Sequence, residues 1–137
     1  MVTLPIKRKL YTIPVASTSF VEEAVWDGRK QAIIFSYELE SNPKEFRTVG
    51  IRFQRPQLLV KRSEAMCRAE QIEACYDILV EIENSPLLHE YKEEIERGRI
   101  NQAHHYMIYL DSVGSFELIA EGWTVEDVLQ ESKEGKQ

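Results

Sequence analysis

Two alternating apolar segments on either side of a glycine-containing turn constrain the fold of this chain more than any other feature. They are HHYMIYL, from His104 to Leu110, and SFELIAE, from Ser115 to Glu121. Successive side chains of a strand point to opposite faces, so each segment suits a strand that is buried on one face. Gly114, in the connection DSVGS, can take the left-handed conformation of a three-residue hairpin loop. The sequence therefore predicts an antiparallel hairpin.

The register of this hairpin follows from the pairings that bury apolar side chains together. Pairing Asp111 with Ser115 makes one face wholly apolar, with the pairs Leu110–Phe116, Ile108–Leu118 and Tyr106–Ala120. The other face then contains the pairs Tyr109–Glu117, Met107–Ile119 and His105–Glu121. A slip of one residue would place Ile108 opposite Glu117, so we expect the first register.

The two adjacent histidines are predicted to point to opposite faces of their strand and cannot form one site. A metal needs at least three converging ligands, and His105 with Glu121 supplies two, so we expect neither a metal nor a cofactor. This pair is either an oriented imidazole for acid–base catalysis or a surface pair worth about 0.2–1 kcal/mol. We favour the surface pair. The motifs GxGxxG, GxxxxGK[ST], GxSxG and HExxH do not occur, and no catalytic residue is predicted.

The first half of the chain has the pattern of strands. Asp27-Gly28 separates two segments rich in β-forming residues and predicts a hairpin from about Phe20 to Leu39. The segment ESNPKE, at 40–45, has the composition of a loop. Alternation and the position of Pro56 predict two short strands, at about 46–53 and 57–61.

Two helices are predicted in the second half. An apolar stripe indicates a helix over about 63–75, followed by a strand over about 77–83, although a single helix through Glu83 is the alternative. A second helix is predicted over 86–97. Ser85 can cap its first turn, Pro86 suits its first position, and Gly98 suits its end. The predicted fold is α+β, a mostly antiparallel sheet of about five to seven strands with two helices packed on one face.

Composition limits the class of protein. The 137 residues, 43% hydrophobic and 29% charged, predict a single domain over 1–137, with a disordered tail at about 131–137. A net charge of −6 opposes nucleic-acid binding. No apolar segment is long enough for a signal peptide or a membrane span, so we expect a cytoplasmic protein with no membrane contact, whose Cys67 and Cys75 are reduced.

From Arg62 onward the chain resembles a group of small uncharacterised bacterial α+β proteins, some of them of the immunity type that neutralises toxins. The matching features are Glu64 after a strand, EIENSPLL at the start of a helix, and HYMIYLDSVGSFELIAE as the closing hairpin. They cover about the second half of the chain. The resemblance implies an α+β domain that acts by binding, and it carries over no catalytic residue.

The functional prediction is a non-enzymatic protein-binding or regulatory domain. Its acidic surface suits a basic protein partner, and open sheet edges suit a homodimer. The candidate binding residues are His105, Tyr109, Glu117, Glu121, Trp26 and Trp123. For the two tryptophans, closure of the rim of the core is the equal alternative. One rival function is a small ligand-binding domain or enzyme that uses His105, Glu117 and Glu121 around Tyr109, and another is a structural subunit of an assembly.

Overall fold

The structure, a computed structural model, describes residues 4–39, 42–100 and 102–128. Its strands are β1 (Ile6–Thr12), β2 (Phe20–Asp27), β3 (Ala32–Leu39), β4 (Asn42–Gln54), β5 (Leu58–Arg62), β6 (Ile78–Glu83), β7 (His104–Leu110), β8 (Gly114–Ala120) and β9 (Gly122–Asp127). Its helices are short: α1 (Ala69–Ile72), α2 (Pro86–Glu90) and α3 (Lys92–Arg97), with 3-10 turns at Ser17–Ser19 and Glu64–Met66.

The strands form two antiparallel sheets. One has the order β1-β6-β7-β8-β5 and the other the order β2-β3-β4-β9. The prediction of a mostly antiparallel α+β fold is confirmed at this level. The nine strands of the described residues exceed the predicted five to seven, because β1 and β9 were not predicted, and they form two sheets rather than one.

The two sheets are joined where two paired strands turn the same corner. β4 continues into β5 through Arg55, whose φ is 47°, and β8 continues into β9 through Glu121. Pairing persists around this corner, since the amide of Glu121 donates to the carbonyl of Gln54 at 2.8 Å and that of Gln57 to Ile119 at 2.7 Å. Strands that change sheet in this way are a common means of closing a sheet over its own core.

The main core lies between the sheets. It includes Ile33, Phe35, Val49, Ile51 and Phe53 from the four-stranded sheet, and Leu79, Tyr106, Ile108, Leu110, Phe116, Leu118 and Ala120 from the five-stranded sheet. The apolar face predicted for the closing hairpin is therefore confirmed as a buried face. Each large aliphatic or aromatic side chain removed from water here contributes about 1.5–3 kcal/mol to folding.

The predicted register of that hairpin is wrong by two residues. Tyr109 pairs with Ser115 and His105 with Ile119, while Gly114 belongs to β8. The left-handed residue of the loop is Ser112, with φ 65°, and Gly114, at the start of β8, also has a positive φ of 114°. Because side chains alternate with a period of two, a shift of two residues keeps every side chain on its predicted face and changes only its cross-strand neighbours.

Other predicted elements differ mainly in length. The hairpin Phe20–Leu39 is confirmed, although residues 28–31 connect its strands, and the strand over 77–83 is confirmed as β6. The loop over 40–45 is wrong from Asn42 onward, where β4 begins. The remainder of that loop, and the tail at 131–137, lie outside the described residues.

The helices are interrupted where the backbone leaves helical conformation. The helix predicted over 63–75 is reduced to the 3-10 turn and α1, because Ala74 and Asp77 have positive φ and lead the chain into β6. The helix predicted over 86–97 begins and ends as expected but is divided at Tyr91, with φ −99° and ψ 19°. These helices lie on the outer face of the five-stranded sheet, opposite the main core.

Candidate binding cleft on the outer face

A cleft of about 680 Å³ opens on the outer face of the five-stranded sheet, between α1 and α2. Its floor contains Ile82, His105 and Glu117, which β6, β7 and β8 direct away from the main core. Leu87 of α2 and Ala74, just after α1, contribute to its walls. This volume lies in the range of small-ligand sites. We call it the outer-face cleft.

His105 and Glu117 of this floor belong to a chain of hydrogen bonds that also includes Ser85 and Arg62. His105 Nδ1 lies 2.7 Å from Ser85 Oγ, and His105 Nε2 lies 2.6 Å from Glu117 Oε2. The guanidinium of Arg62 donates to Glu117 Oε1 at 2.7 Å. His105 and Glu117 are 4% and 8% exposed, so their charges and polar atoms depend on these partners.

The carboxyl group of Glu117 is held in its ionised form. Burial by itself would raise its pKa, but the hydrogen bonds and electrostatic interactions with His105 and Arg62 outweigh burial and lower the pKa below its usual value of 4.5. An ionised carboxylate only accepts hydrogen bonds, so the proton between Glu117 and His105 belongs to Nε2. The floor of the cleft therefore contains an ionised carboxylate, paired with Arg62, in the same lining as apolar side chains.

Ser85, His105 and Glu117 are hydrogen-bonded one to the next as in a hydrolase triad, but the geometry differs. In such triads the serine bonds Nε2 and the carboxylate bonds Nδ1, whereas here the two ring nitrogens are exchanged. Ser85 Oγ also accepts the amide of Leu88 at 3.1 Å as the cap of α2, and the residue is only 9% exposed. The arrangement suits a hydroxyl that orients the imidazole better than one that attacks a ligand.

The mouth of the outer-face cleft is acidic. Glu70 and Glu73 of the α1 side and Glu90 of α2 are exposed at its rim. Lys7 also lines the cleft, but its ammonium donates to the backbone carbonyls of Glu70 at 2.5 Å and Glu73 at 2.6 Å, and so caps the end of α1. Its positive charge is already engaged, while the side chains of the rim face water.

The structure brings together only two of the predicted site residues, His105 and Glu117. The predicted partner of His105, Glu121, instead forms an ion pair with Arg55 at 3.3 Å, so that assignment is wrong. The expectation of a surface His–Glu pair is also wrong, since His105 is buried. Its cross-strand neighbour is Ile119, and the carboxylate that it bonds belongs to Glu117, two residues before Ile119 in β8.

Tyr109 shares the outer face but lies outside the cleft. Its hydroxyl donates to Glu64 Oε2 at 3.1 Å, and burial followed by this bond raises its pKa to about 12. The face predicted to gather His105, Glu117 and Glu121 around Tyr109 is therefore not assembled in that form. Tyr109 packs instead with the small apolar cluster of Cys75, Val80 and Met107.

The two tryptophans lie at the rim of the main core. Trp123 packs against Tyr11, with ring centroids 6.0 Å apart, and Trp26 packs against Phe53 at 6.3 Å. Both are half-buried. These contacts match the alternative in which each ring closes the core, and a binding role for them stays a prediction.

Ser85, Arg62 and Lys7 were not among the predicted site residues. Ser85 was recognised as a helix cap, but a capping pattern contains no information about a histidine 20 residues away. In the sequence, Lys7 is part of the cation run Lys7-Arg8-Lys9, and such a run is typical of a solvated strand edge as well as of a binding site. Alternation along β1 directs Lys7 to the cleft, while Arg8 pairs with Glu81 at 2.6 Å, and Glu81 also bonds His104.

Within the described residues, no group of three or more His, Cys, Asp or Glu side chains is placed to hold a metal ion. In the same part of the chain, no helix has the length and apolar character needed to cross a membrane.

Comparisons with protein-family models, curated proteins and solved structures found no match to this chain.

Proposed function

We propose that this protein is a non-enzymatic binding domain and that the outer-face cleft receives part of a basic protein partner. The observation that supports this proposal most directly is the charge of the cleft. Four carboxylates, those of Glu70, Glu73, Glu90 and Glu117, line it against the single ammonium of Lys7. If the guanidinium of Arg62, which pairs with Glu117, is also counted, the carboxylates still outnumber these two cationic side chains. Electrostatic complementarity of this kind favours a positively charged partner and accelerates its association.

The buried hydrogen-bond chain supports binding better than catalysis. Both nitrogens of His105 are occupied by protein groups, so a bound molecule meets the ring without a free proton donor or acceptor. General acid–base chemistry needs such a group within hydrogen-bonding distance of the reacting atom. A floor whose histidine is paired at both nitrogens instead offers a surface that is held in place by its own hydrogen bonds.

A small-ligand-binding domain is the second candidate, favoured by the volume of the cleft. About 680 Å³ can accommodate a small molecule without any protein partner. In that case the same acidic walls would select the molecule. The two candidates differ in whether a protein is captured through the cleft.

The test compares two variants with equal loss of charge. Glu73→Gln/Glu90→Gln removes two carboxylates from the rim, and Glu93→Gln/Glu96→Gln removes two exposed carboxylates from α3 outside the cleft. Tagged proteins are used to capture partners from lysate at two salt concentrations, and each captured protein is then purified and its binding measured. We expect a basic partner that binds wild type and the α3 variant alike and binds the rim variant several-fold more weakly.

Two results would count against the proposal. A partner that binds both variants equally well uses another surface. Capture that responds only to total charge, with the same loss in both variants, reflects nonspecific attraction. If no protein is captured while small molecules bind the cleft, the second candidate replaces the first.

A further inference from the structure

We propose that the group received by the outer-face cleft is a cationic side chain of the partner, an ammonium or guanidinium on an apolar stem, and that the Glu117 carboxylate is its counter-charge. This inference rests on the proposed function and adds the chemistry of the contact. It follows from the lining of the cleft, in which Glu117 and Ile82 form part of the floor and Leu87 part of the wall.

The carboxylate of Glu117 has acceptor capacity left for a ligand. A carboxylate offers about four lone-pair sites, and each of its oxygens has one protein partner, His105 on Oε2 and Arg62 on Oε1. Those two partners fix its position, so an entering donor would meet a preorganised acceptor. Glu117 is 8% exposed and belongs to the floor of the cleft.

An apolar stem suits the lining of the cleft. Ala74, Leu87 and Ile82 line it together with the carboxylates. Lysine and arginine have this shape, since their aliphatic stems pack on apolar surface while their charged ends reach polar groups. An anion would meet four carboxylates, and a neutral alkyl group would leave the buried charge of Glu117 without a new partner.

The position of Lys7 supports the same assignment. Lys7 already places an ammonium at this cleft, where it bonds two backbone carbonyls and lies 3.8 Å from the sulfur of Cys75. The protein thus accommodates one organic cation at the α1 side of the cleft. The carboxylates of Glu73, Glu90 and Glu117 remain available for a second cation.

The experiment uses small compounds that imitate the side-chain end. n-Butylguanidinium and n-butylammonium are titrated into the labelled full-length protein, with n-butanol as the neutral control, and amide and methyl shifts are followed by NMR. We expect the cations to shift signals of Ala74, Ile82 and Leu87, and the alcohol to bind at least about tenfold more weakly. Glu117→Gln should weaken cation binding at least about tenfold, and the rim variant about threefold.

The inference is overturned if the alcohol binds as tightly as the cations, or if the shifts map elsewhere. If Glu117→Gln does not fold, the rim variant decides, with the α3 variant as the matched control. If capture of a protein partner depends on the cleft but the cleft does not prefer the two cations over the alcohol, this inference is wrong and the proposed function stands. Cation binding without any protein partner would overturn the side-chain source and point to a free organic cation.

Discussion

Glu117→Gln is the substitution that tests the buried hydrogen-bond chain most directly. The change keeps the size of the side chain and removes its negative charge. Glutamate accepts a hydrogen bond on each oxygen, from His105 and from Arg62. Glutamine has one oxygen and one NH₂ group, so it can accept from one of these donors and must present its own donors to the other.

The expected loss is about 2–3 kcal/mol in the free energy of unfolding. Hydrogen bonds to charged groups contribute about 1.5–3 kcal/mol each, and glutamine restores one of the two. Removing one member of a fully buried ion pair can cost about 3–5 kcal/mol, but the Arg62 side chain is 33% exposed and regains water. For a chain of this length we expect a fall in Tm of roughly 6–15 °C.

Urea unfolding at pH 7, followed by the fluorescence of Trp26 and Trp123, measures this loss. The matched control is Glu121→Gln, which breaks the ion pair with Arg55 at 3.3 Å. The side chains of that pair are 53% and 23% exposed, so the control should lose at most about 1 kcal/mol. A Glu117→Gln protein within about 0.5 kcal/mol of wild type would refute the reasoning.

The pH dependence gives a second measurement with a definite sign. The pKa of Glu117 is lowered in the folded state, so its ionisation stabilises the fold at pH values above the usual 4.5. That stabilisation is lost as the pH falls below 4.5 and through the folded-state pKa. The stability difference between wild type and Glu117→Gln should therefore shrink as the pH falls below 4.5. A difference that persists unchanged in acid would contradict this account.

Three further substitutions test the fold and the role of Ser85. Gly114→Ala should destabilise the protein by about 3 kcal/mol or more. The φ of Gly114 is 114°, and an added Cβ would lie 1.9 Å from a backbone carbonyl oxygen of β5. A variant that is as stable in urea as the wild type would contradict this prediction. Leu118→Ala, in the main core and 0% exposed, should cost about 2–5 kcal/mol by calorimetry, and a smaller loss would indicate a looser core. Ser85→Ala should cost about 1–2 kcal/mol, since it removes the cap on Leu88 and the bond to His105. A fluorophosphonate that labels wild type but not Ser85→Ala would reveal a nucleophilic serine and overturn the non-enzymatic assignment.

The candidate site could be predicted only in part. His105 and Glu117 were chosen because both lie on the second face of the closing hairpin, and alternation fixed that face correctly. Their direct contact was not predicted because it is diagonal across the two strands. His105 pairs with Ile119 but bonds Glu117, which lies two residues before Ile119 in β8. Loop geometry accompanies this shift, since the left-handed position of the loop is taken by Ser112, and Gly114 already pairs with Leu110 in β8.

Local patterns in the sequence determined the strands at Phe20–Leu39 and β6, the cap at Ser85, and the buried face of the closing hairpin, because alternation and turn chemistry act between near neighbours. Tertiary structure alone decided the rest. The corner at Arg55 and Glu121 divided the strands between two sheets, and Ala74 and Asp77 shortened α1. Packing of α1 and α2 on the outer face then enclosed the cleft and joined Ser85, His105, Glu117 and Arg62. Contacts between residues so far apart in sequence depend on the packing of the whole chain, which no local pattern contains.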